Sequence, residues 1–166
     1  MTPSAGAPPR LDRTMKILRS EEAVSEAVLF AERAVHSCSA RCREAVALAA
    51  CELAENVGKY GVQHADPRAG TISIGVRGDV VRITVTNAVR DPQEARSVMA
   101  IVARIASCES VAELYRRRLS ELFTNPGAPR AQLGLLRLAF EGGFTLSATY
   151  DAPLLQIIAE RRCEDD

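Results

Sequence analysis

The sequence predicts an α/β (more narrowly α+β) domain, a two-layer sandwich whose largely antiparallel mixed sheet is covered by helices on one face. Three observations lead there. Apolar residues keep a helical period from about 39 to 59 and again from about 93 to 123. They alternate in 71–76 and 80–86, and again from 144 to 150 and 154 to 159. The strand signals come in pairs separated by turn residues, so the order reads helices, hairpin, helices, hairpin, with no internal repeat.

The elements follow in order. Residues 1–13 are rich in Pro, Gly, Ala and Ser and read as a flexible leader, leaving 14–166 as one domain. Met15-Lys16-Ile17-Leu18 predicts a short strand. Ser20 before Glu21-Glu22 predicts a capped helix to about Arg33, with carboxylates in its first turn. The next helix, about 39–59, has Val46, Ala50, Leu53 and Val57 on one face, and Gly61 stands where a left-handed stop is expected. Arg77-Gly78-Asp79 turns the first hairpin. Val98, Ile101, Val102 and Ile105 mark a helix over about 93–107, and Val111, Leu114, Tyr115, Leu119 and Leu122 mark another over about 111–123. The 125–129 stretch breaks the pattern before a packed helix over 132–140, which Gly142-Gly143 ends. Asp151-Ala152-Pro153 turns the last hairpin.

Composition bounds the function. Apolar residues are 47% and charged residues 25% of the 166, ordinary globular values. Lys+Arg and Asp+Glu both number 21, so no bulk charge draws the chain to nucleic acid or an anionic membrane. No apolar run approaches the roughly 18 residues of a spanning helix. The N-terminus lacks the apolar core of a signal peptide, so the expected location is cytoplasmic. Five cysteines, an odd number without a paired framework, are expected as reduced thiols.

The chemistry centres on Glu52-Leu53-Ala54-Glu55-Asn56-Val57-Gly58-Lys59-Tyr60-Gly61. Glu52, Asn56 and Lys59 fall at i, i+4 and i+7, on one helix face, spread over roughly 10 Å. A carboxylate, a carboxamide oxygen and an ammonium in that row suit Mg²⁺ and phosphate. Many solvated helix faces carry the same three groups, so spacing alone singles out no site.

That segment resembles the N-box of GHKL (Bergerat) ATPases, E-x-x-x-N-x-x-(K/H)-(Y/H/A)-(G/A), closest in flavour to anti-sigma-factor serine kinases. The resemblance covers most of the chain in topology, though only about ten residues specifically. It implies ATP and Mg²⁺ as cofactors, Glu52 as the catalytic base, Asn56 as the Mg²⁺ ligand and Lys59 as a phosphate contact. It implies a protein partner, usually a STAS-type regulator phosphorylated on Ser or Thr, and allows a homodimer.

The other two family boxes depart from the pattern. Asn87 stands where an Asp reads the adenine amino group, both following glycines are missing, and Asp91 lies four residues on. An amide presents a donor as well as an acceptor, and Asn87 also reads as a turn opener. In the phosphate loop only Gly134-Leu135, with Gly127, keep the pattern, while Arg130 offers charge instead of the missing amides. The alternative implied is a module that kept the fold, binds no nucleotide and works by docking a partner.

Three further features remain. Arg116-Arg117-Arg118 reads either as an anion contact or as a solvated face paired with Glu113 and Glu121. His36, Cys38 and Cys42 have ligand-like spacing with no second cluster to complete a zinc site. His64 follows the N-box in a loop.

Overall fold

The structure, a computed structural model, describes residues 12–18, 20, 22–125, 127 and 132–163. Among the described residues eleven elements follow one another: β1 (Arg13–Lys16), α1 (Ala23–Ala34), α2 (Ala40–Tyr60), β2 (Gly61–Val62), β3 (Thr71–Arg77), β4 (Val80–Val89), α3 (Pro92–Ser107), α4 (Val111–Thr124), α5 (Leu133–Phe140), β5 (Thr145–Asp151) and β6 (Leu154–Arg162). The six strands form one sheet in the order β1-β3-β4-β6-β5, with β2 pairing the end of β4. Among the described residues all the strand pairings are antiparallel, with no parallel strand of the kind a mixed sheet contains.

Alternation fixes which face the helices cover. Ile72 pairs with Val85 and Ile74 with Ile83, while Val85 in turn pairs with Ile157 and Ile83 with Ala159. These side chains point the same way and are buried. Thr71, Ser73, Thr84 and Ser147 lie on the opposite, polar face. A one-residue slip would put the isoleucines in water, so the register is strongly specified.

Helix α2 is the central helix of the covering layer. Ser39 caps it by accepting from the Cys42 amide at 3.2 Å. The expected inward stripe of Val46, Ala50, Leu53 and Val57 is buried against the sheet and against α1, which contributes Ala23, Ala27 and Ala31. Small residues at those α1 positions let the two helices approach closely.

Several expectations need correction. Arg13, assigned to the leader, pairs with Ile74 as the first residue of β1. Ser20 does not cap α1, which starts at Ala23 with no side-chain cap. Gly61 does not adopt the left-handed conformation. Its φ of −69° and ψ of 146° are extended, and it opens β2 directly. A glycine is needed there because a Cβ would run into the Val57 carbonyl oxygen. The left-handed glycines are Gly70, Gly78 in the hairpin turn, and Gly143 after α5.

The thiol expectation is overturned as well. Cys42 and Cys163 form a disulfide with Cα atoms 5.3 Å apart, across 121 positions of sequence. It ties the first turn of α2 to the end of β6, a proximity that only the sheet topology creates. Cys38, Cys51 and Cys108 are not disulfide-bonded. Among the described residues, no helix is long and apolar enough to cross a membrane.

Candidate functional site

The second half of α2 forms one wall of a cavity of about 330 Å³, within the range of small-ligand pockets. The sheet supplies its floor through Val89, Leu155 and Ile157, and the starts of α3 and α5 close its sides. The floor is apolar because these positions continue the buried alternation of β4 and β6.

Asn87 interrupts that alternation. It follows Ile83 and Val85 on the inner face, opposite Leu155, and is only 5% exposed. Its carboxamide makes no hydrogen bond to any described residue, and it borders the cavity. A carboxamide on an otherwise apolar face, bordering a cavity, offers an incoming ligand both an acceptor and a donor. Of the two sequence readings of Asn87, the turn opener is excluded, since the residue sits inside the β4–β6 ladder.

Asn56 lines the same cavity from α2, and Tyr60 stands one turn further along. The structure thus brings Asn56 and Asn87 together at one cavity. Asp91 caps α3, its Oδ1 accepting from the Gln93 amide at 2.8 Å. Gln132 begins α5 with a left-handed φ of 79° and donates from Nε2 to the Ser97 carbonyl at 3.5 Å across the cavity mouth.

Glu52 and Lys59 are turned elsewhere. Lys59 is exposed and its ammonium pairs with Glu55 one turn back, at 3.0 Å, and that hydrogen bond raises its pKa. The Glu52 side chain, 18% exposed, accepts from Arg137 Nη1 on α5 at 3.0 Å. Gly134 packs directly on the Glu52 carboxylate, where a Cβ would collide with Oε2. The glycine therefore permits the close approach of α5 to α2 at this carboxylate.

Arg137 holds a larger network. Its Nε donates to Glu141 at 2.8 Å, and the Tyr115 hydroxyl of α4 donates to the same carboxylate, also at 2.8 Å. The Arg137 guanidinium keeps the Glu141 carboxyl below its ordinary pKa, while burial, followed by the bond to Glu141, pushes the Tyr115 phenol up. Glu52 is thereby linked through two helices to the ring of Tyr115, which packs on Phe140 at 5.1 Å between centroids.

Sequence reasoning missed Tyr60, Gln132 and Arg137. Arg137 carried a readable signal, since Gly134, Arg137 and Glu141 fall at i, i+3 and i+7 of one helix face. Arg130 lies outside the described residues. The arginine run of α4 takes its paired reading, with Arg116 to Glu113 at 3.1 Å and Arg118 to Glu121 at 2.9 Å. Cys42 is taken by Cys163, and His36 Nδ1 sits 3.2 Å from the Arg33 carbonyl oxygen. No protein-family model matches the chain, and no curated protein is significantly similar to it.

Proposed function

We propose that the chain is an ATP-binding regulatory protein of the GHKL type, acting on a protein partner. The carrying observation is Asn87, a buried amide with no hydrogen bond to a described residue, bordering a cavity whose α2 wall presents Asn56. In this reading the apolar floor receives the purine and the Asn87 amide meets its edge with one acceptor and one donor. The Asn56 carboxamide oxygen supplies a hard ligand to Mg²⁺ carried by the phosphates. The N-box likeness supports the same assignment, and it points to a STAS-type partner and to self-association as a homodimer.

A second reading is favoured by a specific observation. Glu52 is held by Arg137 and Lys59 by Glu55, so neither lines the cavity. A module that docks its partner without phosphotransfer fits that arrangement. The deciding measurement is a thermal melt with and without millimolar Mg²⁺-ATP. Stabilisation that disappears in Asn56→Ala supports the ATP site, and an unchanged melting curve for the parent protein removes it. If ATP binds, phosphotransfer to a STAS-domain protein separates the two readings, since Glu52→Gln abolishes transfer only if Glu52 is the base.

A further inference from the structure

A second cleft, of about 470 Å³, flanks β4 on the side towards β3 and β1, away from the cavity above. Its apolar surface comes from Ile17, Val57 and Ala69, all less than 10% exposed. Its polar groups come from three separate elements, β1, the α2–β3 connection and β4. Lys16 donates to the Ala69 carbonyl at 2.6 Å, which uses one of the three ammonium hydrogens. His64 Nδ1 accepts from the Asp66 amide at 3.0 Å, which places the neutral ring's proton on Nε2 as a donor. The third group is Asn87, which borders both cavities.

The charge balance of the cleft is one-sided. Among the described residues its ionisable lining groups are Lys16 and His64, both basic. The nearby carboxylate of Asp66 is committed elsewhere. The Arg68 guanidinium bonds it at 3.1 and 2.8 Å and the Arg68 amide at 2.8 Å, and these bonds hold its pKa down to about 2. Lys16, His64 and Asn87 thus line an apolar-walled cleft with no lining carboxylate among the described residues.

We infer that this cleft binds a small organic anion, its carboxylate or phosphate head on Lys16 and His64 and its short body against the apolar wall. The headgroup chemistry is common to the two sources, and the apolar wall favours a ligand carrying a few carbons over a bare ion. The site stands on its own lining. A consequence for the first cavity rests on the nucleotide reading: an occupant that fixes the Asn87 amide changes the edge offered to a base, so the two ligands are reciprocally coupled.

The test is a ¹H–¹⁵N titration of the whole chain with two probes, inorganic phosphate and butyrate. The inference expects saturable shifts at Gly61, Val62, His64, Gly70 and the Asn87 side-chain amide. Each of Lys16→Met and His64→Gln weakens binding about fivefold, the upper range for a solvent-accessible charge contact, in variants that stay folded by their amide spectrum. Asn56→Ala leaves this binding intact, which separates the cleft from the nucleotide cavity. Saturation by butyrate alone assigns a carboxylate ligand, and by phosphate alone a phosphorylated one. Shifts with neither probe, or shifts undiminished in the Lys16→Met, His64→Gln double variant, overturn the inference even if Mg²⁺-ATP binds as proposed.

Discussion

Replacing Asn87 with leucine separates stability from function at one residue. The side chain is 5% exposed, without a hydrogen bond to any described residue, and set among Val57, Val89 and Leu155. An unpaired buried amide costs about 1–3 kcal/mol, and an apolar group of similar shape removes that cost. Because Asn87 borders two open clefts, water recovers part of the penalty, and the lower end of the range applies. Asn87→Leu is therefore expected to stabilise the apo protein by about 1 kcal/mol, raising Tm by roughly 2–4 °C. The same change removes the amide assigned to the base. The parent protein at 100 times its Kd for Mg²⁺-ATP gains about 2.7 kcal/mol, and the variant should gain none. Urea unfolding and thermal melts, each with and without nucleotide, measure both effects. A variant less stable than the parent by more than about 1 kcal/mol would refute the argument, since the amide would then be satisfied within the protein. A stabilised variant that still responds fully to Mg²⁺-ATP would sink the recognition role alone.

Other expectations concern the remaining long-range links. Arg137→Met leaves the part-buried Glu52 carboxylate without its guanidinium and should cost about 1–2 kcal/mol in urea unfolding, and no loss would mean the pair contributes nothing. The same variant should change the acid limb of stability. Glu141 has a folded pKa lowered below 4.5, so its contribution is full above that value and is lost as pH falls through the depressed one. The fall in Tm between about pH 5 and pH 3 should accordingly be shallower in Arg137→Met, and an identical slope would detach Glu141 from Arg137. Cys163→Ser, which opens the Cys42 bridge, should lower stability by about 2–4 kcal/mol. Thiol counting on the denatured, unreduced chain should find three of the five cysteines reactive, and five would disprove the disulfide.

Much of the fold was legible because secondary structure is written in local periodicity. The alternation in 71–76 and 80–86 specified β3 and β4 and, through the single allowed register, the buried face of the sheet. Val46, Ala50, Leu53 and Val57 specified the inner face of α2, and the spacing of Glu52, Asn56 and Lys59 placed them on that helix. Spacing did not specify what each side chain meets. Glu52 finds Arg137 across 85 positions and Cys42 finds Cys163 across 121, and Asn87 falls between two clefts only because β4 is central in the sheet. Helical period places a residue on a face, but the partner of that face depends on how helices far apart in sequence pack over one sheet. The sequence by itself determined the elements other than β2, their order and the helix that carries Glu52, Asn56 and Lys59. The tertiary structure alone decided that Asn56 and Asn87 share a cavity while Glu52 and Lys59 are paired away from it.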